Sequence, residues 1–368
     1  MKILIFIPHM GQGGVERSFI NLSKELINKG HDVKFVCLNK IKSTYSENLN
    51  VIKLNSRRTL FSIIKLSKII EYETPDILIS AQYYANIAAI ISKKISNHKI
   101  KIIISERNHL TSALSKYSFL RSLFIKFLIK LTYKRADLIF GNSESVCDDL
   151  KGRFVFKNKI KVKKILNPAF TEIVLKQSED KVNDQWITKS DVPILVYVGR
   201  LEAQKDIDTL LKGFELINKT HKSKLLIIGS GSEKEKLSHS TLYKKNVIKQ
   251  IEFDENPYKY LKYCNVFLLT SIYEGMPNVL IEAQILGMPI VATDSPGGTS
   301  EALLDGKAGL LANMKDAEDI SKKVNILLTD KEIVSNLSLN FEKSLMRFNP
   351  KKISDQIILE VANLMKIK

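Results

Sequence analysis

The sequence has little cysteine. Its three cysteines, Cys37, Cys147 and Cys264, lie far apart along the chain. An odd number at such spacing predicts neither a disulfide framework nor a zinc site, and it favours a reducing compartment. No apolar run reaches the ~18 residues that a membrane-spanning helix needs. Residues 1–7 resemble the start of a signal peptide, but they continue into PHMGQGG without a cleavage site. A buried first strand is therefore the better interpretation.

The sequence also lacks the motifs of several common protein classes. It contains no GxGxxG loop with an acidic residue closing the second strand, which argues against a dinucleotide-dependent oxidoreductase. No Asp-x-Asp pair stands at the end of a predicted strand, so no metal site is predicted. No nucleic-acid recognition motif accompanies the basic residues, and nucleic acid is not an expected partner. A basic nucleic-acid-binding protein is the alternative from a different functional class.

The positive charge is unevenly distributed along the chain. The 368 residues exceed what one hydrophobic core usually organises, so two domains are expected. Residues 1–168 carry 30 Lys and Arg against 12 Asp and Glu, whereas residues 169–368 carry 27 of each. A Lys-rich and Ile-rich genome would load both halves alike. The first half is therefore expected to attract phosphates, acidic lipid headgroups or nucleic acid.

Short apolar runs alternate with helix-period segments along the whole chain. KILIFIP precedes the helical segment VERSFINLSKELINKG, and HDVKFVCL, PDILISAQ, KIIIS and ADLIFGNS are typical of further buried strands. The alternation pauses near residues 166–170 and restarts at PILVYVG. We therefore predict an α/β fold of two Rossmann-like domains, each with a doubly wound parallel sheet, facing a cleft. The predicted domains span 1–168 and 169–350, and a terminal helix over 351–368 is expected to complete the first.

Three loops at predicted strand ends have the composition of phosphate sites. The first is MGQGG, where glycine lets the backbone approach a ligand at a helix start, and Gly14 is its candidate residue. The second carries Arg200 and Lys205 before a helix, and two cations there suit a diphosphate leaving group. The third places Gly229 and Gly231 between a strand and a helix. Each loop taken alone also fits an ordinary turn or a surface cation.

The most specific segment is YEGMPNVLIEAQILGMPIVAT. Glu274 stands in a loop before a helix that is predicted to begin near Val279, and Glu282 lies one turn inside that helix. A carboxylate accepts two hydroxyl hydrogen bonds, so either residue suits the diol of a sugar or a ribose. The amides of the helix start suit a phosphate. Taken singly, a solvated loop charge and a helix-face glutamate explain the same residues.

The order of these motifs is similar to that of the retaining glycosyltransferases of family 4, which have the GT-B fold. The resemblance covers nearly the whole chain and is closest over residues 195–310, where Glu, seven residues, Glu matches the family signature. It implies that Arg200 and Lys205 bind the donor diphosphate. It also implies that Glu274 acts at the donor sugar and that Glu282 holds the ribose. The implied seat of the donor and its phosphates is the segment formed by Gly275, Met276, Pro277, Asn278 and Val279.

The resemblance implies a retaining transferase that needs no metal ion. The expected reaction moves a hexose or N-acetylhexosamine from a UDP-sugar to a glycan acceptor, lipid-linked, during cell-surface polysaccharide biosynthesis. No cofactor is expected beside this nucleotide-sugar donor. No residue offers a convincing nucleophile, and the resemblance implies a front-face displacement in which the leaving phosphate takes the acceptor proton. A sugar-nucleotide epimerase is the alternative within the same fold.

Two segments depart from the family pattern. Where members often carry a histidine after the fourth strand of the first domain, this chain has IIISERNH. Arg107 occupies the histidine position and His109 follows two residues later, so both are candidate catalytic residues. In IEFDENPYKYL, Glu252 replaces the usual glycine before Phe253, and the resemblance therefore assigns no firm contacts to the base of the donor.

The acceptor is expected on the basic first domain. Glu16 and Arg17, just after the first loop, are the candidate acceptor-side residues. Segment 116–135 mixes Phe and Leu with Lys and Arg, as helices at membrane surfaces do. A helix packed on the sheet with its lysines in water fits the same residues. We expect a cytoplasmic protein held at the inner face of the cytoplasmic membrane by contact between its first domain and anionic lipid.

Overall fold

The computed structural model describes residues 1–11, 13–39, 49–154 and 161–366. Gln12 in the first loop and the last two residues of the predicted terminal helix lie outside the described residues. Two compact units divide the chain. Unit 1 consists of Met1–Ala169 and Phe348–Lys368, and unit 2 consists of Phe170–Arg347.

Unit 1 contains a sheet of seven strands within the described ranges, and every neighbouring pair is parallel. The strands are β1 Lys2–Phe6, β2 Asp32–Cys37, β3 Asn50–Lys53, β4 Ile77–Ala81, β5 Lys101–Glu106, β6 Leu138–Gly141 and β7 Val162–Lys164. Their order across the sheet is β3-β2-β1-β4-β5-β6-β7. The connecting helices are α1 Gly14–Asn28, α2 Ile63–Glu73, α3 Tyr83–Ile95, α4 Leu110–Leu114, α5 Phe119–Tyr133 and α6 Glu144–Asp149.

Both faces of this sheet are buried, which explains its uninterrupted apolar strands. In β1, Leu4 and Phe6 point into a core shared with α2, α3, α4 and α5. Ile3 and Ile5 point the other way, into a core shared with α1. Alternate residues of a strand face opposite sides of the sheet, so a strand covered on both sides must be apolar at every position.

Unit 2 repeats the design with six described strands, all parallel to their neighbours. They are β8 Ile194–Val198, β9 Lys224–Ile228, β10 Ile248–Ile251, β11 Val266–Leu269, β12 Ile290–Thr293 and β13 Leu310–Ala312, in the order β10-β9-β8-β11-β12-β13. The helices are α7 Ile173–Ser178, α8 Gln185–Thr188, α9 Ile207–Thr220, α10 Glu235–His239, α11 Thr241–Lys244, α12 Tyr258–Leu261, α13 Asn278–Ile285, α14 Thr299–Ala302, α15 Ala317–Thr329, α16 Lys331–Ser338 and α17 Phe341–Leu345.

The terminal helix α18, Pro350–Lys366, belongs to unit 1. Ile353, Ile357 and Val361 on one of its faces are buried in the core beneath α1. Lys29 at the end of α1 forms an ion pair with Asp355. The chain therefore leaves unit 1 after Ala169 and returns to it at Phe348, and the amide of Ala169 donates a hydrogen bond to the carbonyl of Phe348.

The two doubly wound parallel sheets confirm the predicted fold class. Three strands, β3, β7 and β13, were not predicted, and each lies at an edge of its sheet. Edge strands are short and partly solvated. In β7 this leaves polar residues such as Lys163 and Lys164, and β13 has only the three residues Leu310–Ala312, so neither forms an apolar run long enough to predict a strand. In the described ranges, no helix combines the length and the apolar character that crossing a bilayer requires.

Candidate active site

The carboxyl ends of β8 and β11 are the natural ligand position of unit 2. These strands are neighbours in the sheet, but the chain continues from β8 towards one edge and from β11 towards the other. Ligands of open α/β sheets bind at such a point, because the two following loops diverge there. The loop after β8 carries Arg200 and Lys205, and the loop after β11 carries Glu274.

Lys205 and Glu274 form a buried ion pair across this point. Oε1 of Glu274 accepts hydrogen bonds from the ammonium of Lys205 and, at 2.6 Å, from the hydroxyl of Ser271. The hydroxyl of Thr270 donates to the carbonyl of Lys205 at 2.7 Å. Within the described residues these side-chain bonds to Glu274 all reach Oε1, so Oε2 can accept from a ligand hydroxyl.

Backbone contacts fix the two loops against each other. The amide of Ile272 donates to the carbonyl of Gln204 at 2.9 Å, and the side-chain amide of Gln204 donates to the carbonyl of Tyr273, also at 2.9 Å. Gly297 lies against the same loop with φ +124°, and a Cβ there would be 2.1 Å from the carbonyl oxygen of Glu274. Only glycine fits this approach, so Gly297 helps to hold the Glu274 carboxylate in place.

The glycines after β9 have a structural role of the same kind. A Cβ on Gly229 would lie 1.9 Å from the carbonyl oxygen of Gly199, and one on Gly231 would lie 2.3 Å from that of Leu201. These residues let the loop after β9 pack directly on the loop that carries Arg200.

The Arg200 side chain is exposed. The backbone carbonyl of Arg200 accepts a hydrogen bond from the hydroxyl of Tyr197 at 3.0 Å. Burial raises the pKa of that hydroxyl well above its usual value.

Helix α13 begins directly behind Glu274. It starts at Asn278, one residue before the predicted start, and Glu282 lies on the same face one turn later. The side chains of Asn278 and Glu282 are buried, and each has an interaction partner in the protein. The N-cap residue is Pro277, whose side chain cannot form a capping hydrogen bond. The start of this helix, with Gly275 and Met276 buried before it, therefore presents a positive dipole end to an anion.

Asp206 and Asp208, which follow Lys205 in the chain, have structural partners. Asp206 caps α9, accepting from the amide of Thr209 at 3.3 Å and from its hydroxyl at 2.7 Å. Asp208 pairs with Lys236 at 2.6 Å. Across the part of the chain that the structure describes, no cluster of three or more His, Cys, Asp or Glu side chains could hold a metal ion.

In unit 1 the chain diverges between β1 and β4, and the glycine-rich loop follows β1. Glu16 lies in the first turn of α1, where a Cβ on Gly13 would be 2.5 Å from its Oε2. Arg17 follows it, and both side chains are half-buried and have partners within the protein. The candidate acceptor-side residues therefore stand at the ligand position of the first sheet.

Arg107 and His109 differ in what holds them. Arg107, at the end of β5, is buried, donates from Nη1 to Oδ1 of Asn167 at 2.6 Å and lies 4.6 Å above the ring of Phe19. Burial lowers its pKa to about 10, so it stays charged at neutral pH. His109 caps α4: its Nδ1 accepts from the amide of Ser112 at 3.4 Å and lies 2.9 Å from the Ser112 hydroxyl.

A buried polar network beside Arg107 was missed by the sequence reasoning. Glu106 is fully buried and accepts hydrogen bonds from the side-chain amide of Asn86, at 2.7 Å, and from the hydroxyl of Tyr133. Burial raises the pKa of Glu106 to about 7. The available signal was an Asn in the apolar helix segment ANIAAI, because a buried amide needs polar partners.

Two family models match the chain, one in each unit. The model described as Glycosyltransferase Family 4 matches residues 12–163, and the model described as Glycosyl transferases group 1 matches residues 178–344. Together with the two parallel sheets, these matches define a glycosyltransferase with the GT-B fold. The chain belongs to glycosyltransferase family 4, which confirms the resemblance seen in the motifs.

Curated relatives and a solved structure agree with this assignment. The N-acetylgalactosamine-N,N'-diacetylbacillosaminyl-diphospho-undecaprenol 4-alpha-N-acetylgalactosaminyltransferase of Campylobacter jejuni is 29% identical, covering 90% of this chain and 91% of the relative. The capsular polysaccharide biosynthesis glycosyltransferase CapM of Staphylococcus aureus is 25% identical, over 91% and 89%. The crystal structure of Anabaena HepE with UDP-glucose superposes with a TM-score of 0.80 at 17% identity, covering 99% of this chain and 100% of that one.

Proposed function

We propose that this chain is a retaining, metal-independent glycosyltransferase that moves a hexose or N-acetylhexosamine from a UDP-sugar to a lipid-linked glycan in the synthesis of a cell-surface polysaccharide. The observation that carries the proposal is the buried Lys205–Glu274 pair at the divergence of β8 and β11. It joins a phosphate-binding cation to a carboxylate that suits a sugar hydroxyl.

Each part of the donor, the diphosphate, the sugar and the ribose, is assigned to particular residues of this site. The exposed Arg200 and the ammonium of Lys205 bind the diphosphate, since Lys205 uses only one of its three hydrogens on Glu274. The start of α13 receives a phosphate oxygen. Oε2 of Glu274 accepts from a hydroxyl of the donor sugar. Glu282, one turn inside α13, accepts from the ribose diol.

The transfer itself needs little from the protein beyond this arrangement. The bond between the anomeric carbon and the diphosphate oxygen breaks, and the acceptor hydroxyl bonds to the same face of that carbon. The leaving phosphate oxygen takes the proton of that hydroxyl. Arg200 and Lys205 stabilise the negative charge that develops on the diphosphate. Neither step requires a metal ion, and retention follows from same-face attack.

The choice of donor and acceptor draws on relatives. UDP-glucose is the ligand of the HepE structure, and the Campylobacter enzyme carries a diphospho-undecaprenol acceptor in its name. We transfer the chemical class of each to this chain, a UDP-sugar and a lipid-linked glycan. Glu16 and Arg17, at the ligand position of the first sheet, are the acceptor-side residues. Arg107, which carries a fixed positive charge, and His109 are the candidate catalytic residues of the first unit.

Contact with an anionic membrane would bring such an acceptor to the enzyme. Helix α5 forms most of segment 116–135, and its inner face, with Ile129 and Tyr133, is buried. Its outward face is apolar as well as basic. The apolar side chains that are more than half exposed are Phe119, Leu120, Leu123, Phe124 and Phe127. This pattern favours a membrane-surface helix over one that merely keeps its lysines in water, and it supports a peripheral position at the inner face of the cytoplasmic membrane.

The donor assignment is tested by Glu282→Ala and Glu282→Gln. We expect either change to weaken UDP binding by roughly tenfold or more in calorimetry, because a hydrogen bond to a charged group contributes about 1.5–3 kcal/mol. Glu332→Ala, an exposed change on α16, is the matched control. Unchanged UDP affinity in the Glu282 variants contradicts the ribose assignment.

A donor screen tests the reaction as a whole. UDP-, GDP- and ADP-sugars are compared for thermal stabilisation, since a bound donor stabilises by mass action. The sugar that stabilises is then offered with a lipid-linked acceptor, with and without EDTA, and the anomeric configuration of the product is read by NMR. An inverted product, or loss of transfer in EDTA, contradicts the mechanism. Epimerised nucleotide sugar without transfer identifies the alternative enzyme.

A further inference from the structure

The residues that lead into α2 form a second exposed apolar surface on unit 1. Leu60 and Phe61 lie in the 3-10 turn Thr59–Ser62, and Ile64 lies in the first turn of α2. Their side chains are 63%, 69% and 65% exposed. We call these three residues the α2 patch. Residues 57–68 around it contain four cations and no carboxylate.

The opposite face of α2 fixes the direction of this patch. Leu66 and Ile70 are fully buried in the core of unit 1. The hydroxyl of Ser92 on α3 donates to the carbonyl of Ile63 at 2.9 Å, directly beside the patch. The three apolar side chains therefore face solvent because the helix is anchored from behind.

The α2 patch and the outward face of α5 belong to one layer of helices. Helix α3 packs against both α2 and α5, and all three cover the same face of the first sheet. Two apolar surfaces thus look outward from one layer. Segment 116–135 carries six cations and no carboxylate, so both surfaces have the same charge sign as well.

The charge decides what covers these surfaces. A second copy of the chain in a two-fold dimer would place cation against cation, which is unfavourable. Nucleic acid would match the charge but gives the aliphatic side chains of Leu60 and Ile64 nothing to bury against. An anionic lipid surface satisfies both, because Leu, Ile and Phe enter the acyl boundary while Lys and Arg meet the phosphates.

We propose that the α2 patch is a second membrane contact, so that unit 1 docks on anionic lipid at two places. The proposal rests on the membrane association suggested above for α5 and specifies it. One helix alone lets the domain rotate about the helix axis. A second contact on the same layer fixes the orientation of the sheet, and with it the carboxyl ends of β1 and β4, relative to the lipid surface.

The first test measures partitioning onto vesicles of phosphatidylcholine with phosphatidylglycerol. We expect the triple variant Leu60→Ser, Phe61→Ser, Ile64→Ser to bind these vesicles at least about tenfold more weakly than the wild type, as each apolar side chain removed takes away buried area. The control is Leu339→Ser with Leu359→Ser, which replaces side chains that are 78% and 61% exposed elsewhere. Hydrolysis of the donor in solution checks that the variants are folded.

A second test places a reporter in the patch. Trp186 is the single tryptophan of the sequence, so Phe61→Trp in a Trp186→Phe background reports on position 61 alone. We expect its emission to shift to the blue and to be quenched by brominated lipid in anionic vesicles. An unshifted spectrum while the protein is bound overturns the proposal.

The outcomes separate the two levels of the argument. Full binding by the triple variant, with binding lost when the apolar face of α5 is changed to serine, overturns the second contact and leaves the α5 contact standing. A wild type that does not bind anionic vesicles at all overturns both. Binding that depends on the patch but is equal on pure phosphatidylcholine overturns the choice of anionic lipid.

Discussion

The proposed donor site depends most on two side chains, Lys205 and Glu274. Both are largely buried, and Ser271 and Thr270 hold the carboxylate and the Lys205 backbone in place. A buried ion pair does little for stability as a pair, but breaking it leaves an uncompensated charge. The proposed donor role and the stability of the fold are therefore coupled at these two residues.

Glu274→Gln tests this coupling. We expect it to lower the free energy of unfolding by about 3 kcal/mol, because the Lys205 charge loses its partner in a buried position, and to lower kcat/KM for transfer. Denaturant unfolding and a transfer assay measure the two effects. Glu252→Gln removes the partner of Lys234 on an exposed surface, and no measurable change is expected there. Equal effects of the two substitutions would disprove the buried-pair argument.

Because Glu106 is buried, we expect the free energy of unfolding to depend on pH. Burial raises its pKa from 4.5 to about 7 in the folded state. The folded chain therefore holds this proton more tightly than the unfolded chain does. The stabilisation is complete below about pH 4.5 and is lost as the pH rises through 7, a change of about 3 kcal/mol at most.

Glu106→Gln removes that dependence while keeping the hydrogen bonds from Asn86 and Tyr133, since an amide oxygen accepts both. We expect the wild type to lose stability relative to this variant between pH 5 and pH 8 in urea unfolding. Parallel curves for the two proteins would show that Glu106 ionises as it does in the unfolded chain.

The loops that carry the site depend on glycine at close approaches. Gly297→Ala places a methyl group 2.1 Å from the carbonyl oxygen of Glu274, at φ +124°. Gly287→Ala provides the control, since Gly287 also has a positive φ, +70°, but nothing lies within 4 Å of its added Cβ. We expect about 1 kcal/mol of lost stability for Gly287→Ala, and a larger loss together with weaker UDP binding for Gly297→Ala. Equal losses would mean that the contact with Glu274 is not tight.

At the level of elements, the sequence predicts what is buried on both faces. Strands such as β1 and β8 were predicted because they form almost continuous apolar runs. The edge strands β3 and β7 escaped because they carry polar residues, and the edge strand β13 escaped because it spans only three residues. The motif loops predicted Lys205 and Glu274 separately. Their direct contact, and the support from Gln204, Thr270 and Ser271, depend on which strands become neighbours, and local sequence does not encode that pairing.

The asymmetry of charge is a property of the whole molecule. Residues 1–168 carry all of the net charge of +18, and residues 169–368 carry none. The cations of the first part also surround the exposed apolar side chains of α5 and α2. Positive charge around an exposed apolar layer is what the proposed docking on an anionic surface requires, because the charge attracts the surface and the apolar side chains enter it.

This arrangement predicts which cations matter for membrane binding. Five of them lie on or beside α5: Arg121, Lys126, Lys130, Lys134 and Arg135. We expect their joint change to Gln to abolish binding to anionic vesicles, at about 1 kcal/mol for each cation near the surface. The control makes the same charge change in unit 2, at five exposed lysines: Lys212, Lys219, Lys222, Lys307 and Lys322.

The control variant has the same net charge as the α5 variant, so a difference in vesicle binding between them reports position and not total charge. If both variants bind the vesicles equally weakly, membrane binding depends on total net charge and not on the position of the cations.

The nucleic-acid alternative is tested on the same proteins. If the chain is a nucleic-acid-binding protein, it should stay on a DNA column at salt concentrations that release it from vesicles. If it docks on membranes, it should stay on vesicles at salt concentrations that release it from DNA. Salt screens only the charged part of a membrane contact, whereas Phe and Leu side chains buried in lipid are unaffected.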